Sequence, residues 1–262
     1  MGRSLSAMPA PARTPYLDHA LPLAFAHRGG AEEFPENSLA AFRAATTMGF
    51  GYLETDVHLS ADGVVVAFHD DVLDRVTEGS GSVADLTWDE LRDARIQGTE
   101  PIPTMAELFE AFPDARFNID AKSEAVVEPL LALIREHGAV GRVCIGAFDD
   151  ARLARIRSSL IGVCTVLGPN AIARLKAAGR RVPVGRLAGD CAQVPIEHGR
   201  WTVVERRFVQ AAHRRGLQVH VWTIDDPDEM HALLDLGVDG IMTDRPSVLR
   251  EVYRSRGVWP GD

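Results

Sequence analysis

The chain has few of the features that mark secreted or membrane-spanning proteins. Its 262 residues include only three cysteines, Cys144, Cys164 and Cys191. An odd number at such wide spacing argues against a disulfide framework or a zinc site. Two of them lie in apolar runs, which predicts buried free thiols and a reducing compartment, the cytoplasm. No run is apolar enough to span a membrane, and the N-terminus lacks the apolar core of a secretory signal.

Basic residues are fewer than acidic ones. Lys and Arg number 28 against 37 Asp and Glu, so the net charge is −9 and the sequence pI is about 5.5. A negative surface repels nucleic acid and anionic lipid, which argues against both as primary partners. An anionic small molecule would need a metal ion or local cations within its site. The sequence does not indicate an oligomeric state.

Gly-rich phosphate loops of the dinucleotide-binding and P-loop types are absent from the chain. The opening residues MGRSLS do match the N-myristoylation pattern. We interpret this match as coincidental, because the surrounding segment is rich in Ala, Pro and Arg. Residues 1–22 are accordingly predicted to form a flexible tail.

A regular alternation of strand-like runs and helical segments extends from residue 23 to residue 256. Several of the helical segments end in Gly, which is typical of a helix C-terminus. The strand-like runs cover 23–27, 51–59, 116–122, 142–148, 162–167, 191–196, 217–224 and 237–244. Eight such units in one chain of this length predict an α/β fold, a (β/α)₈ TIM barrel. An open doubly wound sheet is the alternative, although it usually carries a Gly-rich loop.

One segment interrupts this alternation. More than forty residues separate the second strand from the helical segment 104–112. Within it, Asp62-Gly63 followed by VVVAFHD predicts a turn into a further β-strand. Long ordered excursions after a barrel strand are usually functional, since barrel active sites are built on that face. We therefore expect an insertion over about 60–101.

The first strand is followed by a tight turn and a helix. Gly29 and Gly30 are expected to let the backbone turn sharply without a steric clash. Asn37, in the sequence Pro-Glu-Asn-Ser, is predicted to cap the first helix. The turn would then present His27 at the carboxyl end of the strand.

Carboxylates occur within two of the predicted barrel strands. Alternation places Glu54 and Asp56 on one face of the second strand, and Asp120 and Lys122 on one face of the third. Inward carboxylates cost several kcal/mol each unless they are paired or bound to metal. A single one would be interpreted as a salt bridge, but three beside a lysine favour a metal site. Oxygen ligands select Mg²⁺, Ca²⁺ or Mn²⁺ rather than zinc.

Two histidines lie at strand ends near these carboxylates. His27 ends the first strand and His69 ends the run VVVAFHD. Either one alone is more often a structural or surface residue. Together, they could act as a general base and a general acid near neutral pH. His220 shares a strand face with Trp222 and could equally line the barrel or pack in its core.

A series of short motifs resembles the glycerophosphodiester phosphodiesterase family. They follow the family's order from residue 27 to residue 246, so the resemblance covers nearly the whole chain. Any single motif is weak, and the ordered series is specific. The motifs are HRG (27–29), PENS (35–38), ETD (54–56), DG (62–63), HDDVLDRVT (69–77), IPTMAEL (102–108), NIDAK (118–122), VWTID (221–225) and GVDGIMTDRP (237–246).

The resemblance implies a TIM barrel with an insertion after its second strand. It also implies metal-dependent hydrolysis of a glycerophosphodiester to glycerol 3-phosphate and an alcohol. In this family the nucleophile is thought to be the glycerol 2-hydroxyl, which gives a cyclic phosphate that water opens. The resemblance implies that His27 and His69 are the catalytic pair and that Arg28 and Lys122 bind the phosphate, with Trp222 as a wall of the substrate pocket. It also implies one divalent ion bound by Glu54, Asp56 and Asp120. That ion would be Mg²⁺ or Ca²⁺, with Mn²⁺ also possible.

Two positions depart from the family. Asp120 stands where the family usually has Glu, one methylene longer, which would alter metal affinity or preference. Ala147 stands where the family often has Ser.

Two alternative functions remain open. One is a related barrel phosphodiesterase acting on lysophospholipids or sphingomyelin, which needs an apolar entrance that the polar insertion does not offer. The other is a non-catalytic phosphodiester-binding barrel.

Overall fold

The computed structural model describes residues 14–20 and 22–259. Its strands, in chain order, are β1 Leu23–Ala26, β2 Tyr52–Leu59, β3 Val65–Ala67, β4 Arg95–Ile96, β5 Glu100–Pro101, β6 Arg116–Ala121, β7 Val143–Gly146, β8 Cys164–Thr165, β9 Cys191–Val194, β10 Glu197–His198, β11 Trp201–Thr202, β12 Gln218–Val221 and β13 Gly240–Thr243. Its α-helices are α1 Leu39–Thr47, α2 Trp88–Leu91, α3 Met105–Ala111, α4 Val127–Glu136, α5 Asp150–Ser159, α6 Pro169–Gly179, α7 Arg206–His213, α8 Pro227–Leu236 and α9 Pro246–Ser255.

Eight parallel strands form the central barrel. They pair in the order β8, β7, β6, β2, β1, β13, β12, β9. Across the remaining seam, a single parallel bridge joins Val166, just after β8, to Cys191 at the start of β9. Each of the eight predicted strand runs contains one of these strands, so the predicted TIM barrel is confirmed and the open sheet is excluded.

Helices cover the outside of the barrel, with an apolar layer between them and the strands. Polar caps mark where several helices begin. Ser38 Oγ accepts a hydrogen bond of 3.0 Å from the Ala41 amide and so caps α1. The prediction that Asn37 caps this helix is wrong: Asn37 has a left-handed φ of 55°, and its side chain turns instead to Thr55 and Asp56.

The amino-terminal end of the barrel is covered by a short 3₁₀ turn, Pro15–Leu17. Tyr16 and Leu17 are buried there. The Tyr52 hydroxyl donates a hydrogen bond of 2.6 Å to the Tyr16 carbonyl, and Gln218 Nε2 donates one of 3.1 Å to the Leu17 carbonyl. A flexible tail therefore does not describe Tyr16 and Leu17. Residues 1–13, with the myristoylation pattern, lie outside the described residues.

The segment between β2 and α3 has a small apolar core of its own, formed around Phe68, Leu91 and Ile96. Strand β3 pairs antiparallel to the end of β2, as the turn at Asp62-Gly63 predicts. The Phe68 amide donates a hydrogen bond of 3.0 Å to the Asp56 carbonyl. This packing holds the chain against the barrel mouth just before His69. Within the described ranges, no helix is both long enough and apolar enough to cross a membrane.

Candidate active site

A cavity of about 500 Å³ opens at the carboxyl ends of the barrel strands. Parallel barrels place their functional groups on this face because the loops that follow the strands converge there. All the predicted site residues line this one cavity: His27, Arg28, Glu54, Asp56, His69, Asp120, Lys122 and Trp222. The structure therefore brings together residues that are up to 195 positions apart in the chain, from 27 to 222.

A turn with left-handed backbone angles follows β1 and positions Arg28 at the cavity. Arg28 has φ 50°, followed by Gly29 at 82° and Gly30 at 107°. A Cβ on Gly29 would lie 2.6 Å from the Ala41 Cβ of α1, so only glycine fits there. The predicted role of both glycines is confirmed. The turn also directs the Arg28 amide to Glu54 Oε2, to which it donates at 3.1 Å.

His27 is held between two carboxylates. Its Nδ1 lies 2.6 Å from Asp244 Oδ1, and its Nε2 lies 3.7 Å from Glu54 Oε2. Asp244 is itself positioned by Asp225, whose Oδ1 accepts the Asp244 amide at 2.7 Å. Burial lowers the pKa of His27, but attraction to Glu54 and the Asp244 hydrogen bond outweigh it, so this pKa lies above its ordinary value. The proton on Nδ1 points to Asp244, which leaves Nε2 facing the cavity.

His69 has an equivalent carboxylate partner supplied by its neighbour in the chain. Its Nδ1 lies 2.5 Å from Asp70 Oδ1. Asp70 is held by Arg75, whose Nε donates to Asp70 Oδ2 at 2.5 Å and whose two terminal nitrogens contact Glu36 at 2.7 and 2.8 Å. The buried His58 lies with Nε2 3.1 Å from the His69 carbonyl. Both the ring and the backbone of His69 are therefore fixed.

Two cations converge on the carboxylates of β2 and β6. Lys122 Nζ lies 2.6 Å from Asp56 Oδ1 and 2.9 Å from Asp120 Oδ2, while Arg28 Nε lies 3.2 Å from Asp56 Oδ2. Burial raises the pKa of Asp56, but the charges of Lys122 and Arg28 overcome this and lower it below its ordinary value. Burial likewise lowers the pKa of Lys122, and attraction to Asp56 and Asp120 reverses this and raises it.

The donor set suits a hard divalent cation. Glu54 is buried beside Asp56, and burial followed by repulsion from Asp56 raises the pKa of Glu54 to about 7. The negative charge of Glu54 is therefore not fully compensated by nearby protein cations, and a bound metal ion would compensate it. Lys122 pairs with Asp120 through Oδ2, so a metal ion would compete with this ion pair at that oxygen. Glu54, Asp56 and Asp120 fit a metal site on their chemistry.

The opposite side of the cavity is apolar. Phe148, after β7, is 71% exposed, and Trp201, on β11, is 59% exposed. The Phe148 ring lies edge-on to Trp222, with the ring centroids 6.0 Å apart. This apolar wall, as we call it, is completed by Val166, Leu167, Pro169, Ile172, Val194, Pro195 and Val203. It comes from segments that follow β7, β8, β9 and β12, so the insertion is not its source.

Several residues that position the site were not identified from the sequence. Asp70, Asp244, Glu36 and Arg75 all lie inside the motifs quoted above, so their presence in PENS, HDDVLDRVT and MTDRP was the available signal. Their pairing was not visible, because Glu36 and Arg75 are 39 residues apart. His220 is fully buried in the barrel and does not line the cavity, which favours a packing role; burial lowers its pKa to about 4.

The fold and the site together define a TIM barrel whose cavity brings two histidines, three carboxylates and two cationic side chains together. Comparison with known proteins identifies the family. The model of the glycerophosphoryl diester phosphodiesterase family matches residues 27–248. The chain belongs to this family.

Relatives whose names state an activity extend this comparison. A probable glycerophosphodiester phosphodiesterase of Mycobacterium tuberculosis is 40% identical over 253 residues, covering 94% of this chain and 96% of the relative. A lysophospholipase D of Rattus norvegicus is 29% identical over 270 residues, covering 86% of this chain and 84% of the relative. The structure of an Oleispira antarctica phosphodiesterase with its product sn-glycerol-3-phosphate has a TM-score of 0.77 at 23% identity, covering 89% of this chain and 97% of the other. At that identity the last comparison shows the fold alone.

Proposed function

We propose that this chain hydrolyses glycerophosphodiesters to glycerol 3-phosphate and an alcohol, in a metal-dependent reaction with His27 and His69 as the acid–base pair. One observation carries the proposal: both histidines line one cavity, and each has a carboxylate on Nδ1. The relative from Mycobacterium tuberculosis, named for this activity, supports it. The free, buried state of all three cysteines supports the expected cytoplasmic compartment.

The substrate phosphate would meet the positive side of the cavity. Arg28 and Lys122 are in place to neutralise its non-bridging oxygens, since both already pair with Asp56 at the mouth. A phosphodiester repels nucleophiles because it carries negative charge, so fixed cations lower the barrier most as charge redistributes in the transition state. Their rigid pairing with carboxylates means that little reorganisation is needed when the substrate arrives.

The two histidines would move the protons. One takes the proton of the attacking glycerol 2-hydroxyl, and the other gives a proton to the departing alcohol. Asp244 and Asp70 would hold each ring with Nε2 towards the substrate, and Asp244 also stabilises the protonated form of His27. The roles then reverse when water opens the cyclic phosphate, because the residue that has lost a proton is now the base.

The divalent ion would be held by Glu54, Asp56 and Asp120. When bound, it supplies positive charge next to the phosphate oxygens and the attacking hydroxyl. Its arrival would also complete the charge balance of Glu54, whose carboxylate is the one least compensated by protein cations. Mg²⁺, Ca²⁺ and Mn²⁺ all accept an oxygen-only donor set.

A panel of glycerophosphodiesters tests the proposal directly. Purified protein with each of Mg²⁺, Ca²⁺ and Mn²⁺ should release glycerol 3-phosphate, and a chelator should abolish the release. His27→Ala and His69→Ala should each lower kcat by at least roughly a hundredfold. His231→Ala, on the outer helix α8, is the matched control and should retain full activity. Absence of glycerol 3-phosphate with every metal and substrate would refute the function.

The apolar wall favours a second candidate, hydrolysis of lysophospholipids. Phe148, Trp201 and Trp222 form a surface on which one acyl chain could lie next to the phosphate-binding groups. The relative from Rattus norvegicus, named a lysophospholipase D, supports this candidate. Release of free head-group alcohol from lysophosphatidylcholine, faster than from glycerophosphocholine, would select it. The opposite preference selects the diester without an acyl chain, and no turnover of either would leave the binding-only alternative.

A further inference from the structure

A cluster of three cysteines lies inside the barrel, away from the catalytic mouth. Cys144 on β7, Cys164 on β8 and Cys191 on β9 are each fully buried. Their sulfur atoms all lie within 4.8 Å of one another, and those of Cys144 and Cys191 are 3.9 Å apart. Among the described residues, this trio is the one group of His, Cys, Asp or Glu whose ligand atoms gather so closely.

The separation between the sulfurs of Cys144 and Cys191 matches that of two thiolates on one metal ion. Three thiolates that hold an ion at about 2.3 Å lie about 3.8 Å apart in a tetrahedral arrangement and about 4.0 Å apart in a trigonal one. The separation of 3.9 Å between Cys144 and Cys191 falls between these values. A disulfide would require this pair to close to about 2.05 Å and would leave the third thiol unused.

Tyr16 provides an independent observation at the same place. It belongs to the same buried cluster as the three cysteines. Its hydroxyl oxygen is buried and has no hydrogen-bond partner among the described residues. Apolar packing of thiols does not explain a phenol hydroxyl left unpaired, since buried polar groups are nearly always satisfied.

The local charge also suits a thiolate centre. Cys164 lies on β8, next to Thr165. Arg157 lies beside this strand and donates a hydrogen bond of 3.2 Å to Thr165 Oγ1. Three thiolates around a divalent ion carry one net negative charge, which this guanidinium would offset.

The position of the cluster suggests what it does for the fold. Strand β8 has two residues, and across its seam with β9 the ring is closed by the single bridge between Val166 and Cys191. Cys164 and Cys191 lie on the two sides of that seam, with Cys144 on the next strand. An ion bound to all three would join three strands at the seam where the barrel has the fewest paired residues, a single bridge.

Although the spacing of these cysteines in the chain argues against a zinc site, the fold gathers them, and we propose that Cys144, Cys164 and Cys191, with the Tyr16 hydroxyl as the fourth polar group, form a structural site for a thiophilic divalent ion of the Zn²⁺ class. Soft thiolates prefer such ions over the Mg²⁺ or Ca²⁺ expected at the catalytic mouth. Each thiol loses its proton as its sulfur binds the ion, so loading releases up to three protons to solvent. The site would fill during folding, because its ligands are enclosed once the barrel closes.

Metal analysis of the full chain tests this proposal. Protein produced in zinc-supplemented medium and dialysed against EDTA should retain about one zinc per chain, because a buried thiolate site exchanges slowly. Protein produced with Co²⁺ in place of zinc should show sulfur-to-cobalt charge-transfer absorption, a reading that needs no variant. Less than a tenth of an equivalent of zinc, together with three thiols that titrate after unfolding, would overturn the proposal.

Variants locate the ion. Cys164→Ala and Cys191→Ser should each lower the EDTA-resistant zinc at least tenfold and lower the Tm, with circular dichroism checking that the barrel forms. The matched control is Glu54→Gln, which alters the catalytic mouth and should keep its EDTA-resistant zinc. Zinc that persists in both cysteine variants, or that disappears in Glu54→Gln, would place the ion elsewhere. If neither cysteine variant folds, the cobalt absorption of the unaltered chain decides the question.

Discussion

His27 Nδ1 lies 2.6 Å from Asp244 Oδ1, although the two residues are 217 positions apart in the chain. Strands β1 and β13 pair in parallel, with Ala26 opposite Thr243, so the residues that follow these two strands meet at the mouth of the barrel. The contact joins the beginning of the barrel to its end. It also fixes the ring of His27, so that Nε2 faces the cavity.

Replacing Asp244 by Asn should leave the shape of the site intact but remove the charge that orients His27. An amide can offer its NH₂ group to Nδ1 and so favour the wrong tautomer. We expect Asp244→Asn to lower kcat by at least about tenfold with little change in KM. Steady-state kinetics on a glycerophosphodiester measure this. Asp235→Asn, on the outer helix α8, is the matched control, and equal kcat in both variants would contradict the role of Asp244.

Asp120 permits a test of the metal ligands. A longer side chain could reach past Lys122, which lies 2.9 Å from Asp120 Oδ2. We expect Asp120→Glu to lower the metal concentration needed for half-maximal activity, and Asp120→Asn to raise it by at least about tenfold. Titration of activity with Mg²⁺, Ca²⁺ and Mn²⁺ after chelator treatment measures both. The assignment of Asp120 as a ligand fails if neither substitution shifts any of the three titrations.

The apolar wall should matter only for substrates that carry an acyl chain. Phe148→Ala and Trp201→Ala each remove an aromatic surface worth about 2 kcal/mol when fully covered, so KM for a long-chain lysophospholipid should rise roughly tenfold or more. The change for glycerophosphocholine should be much smaller. Ile161→Ala is the control, because Ile161 is 83% exposed and does not line the cavity. Equal changes for both substrates would remove the wall from acyl-chain binding.

His213 should make stability depend on pH. Its Nε2 lies 2.8 Å from Asp239 Oδ2, and this hydrogen bond raises its pKa above the ordinary value. A raised histidine pKa means that the stabilisation is complete below the unfolded pKa of about 6.5 and is lost as the pH rises through the folded pKa. The Tm difference between the unaltered chain and His213→Gln should therefore be larger at about pH 6 than at about pH 9. A difference independent of pH would rule out protonation of His213 as its cause.

The barrel could be predicted from the sequence because the signals for each strand and helix lie within short stretches of the chain. Each β/α unit carries its own period of apolar residues, and the Gly-rich ends mark where helices stop. Glu54 and Asp56 could be placed on one face because side chains alternate along a strand. The helix cap shows where this reasoning fails: Asn37 and Ser38 are both good caps by residue type. Asn37 is drawn away because its amide contacts Thr55 and Asp56 on β2, and that contact depends on packing between distant segments.

The sequence by itself determined the order of strands and helices, the family, and the residue types available for chemistry. The tertiary structure decided which of them act together. It joined His27 to Asp244 and His69 to Arg75 through Asp70, and it put Lys122 between two carboxylates. It also assembled an apolar wall and a cluster of three thiols from separate strands. The reason is physical: strand pairing and barrel closure bring distant residues within a few ångströms, and neither leaves a local pattern in the chain.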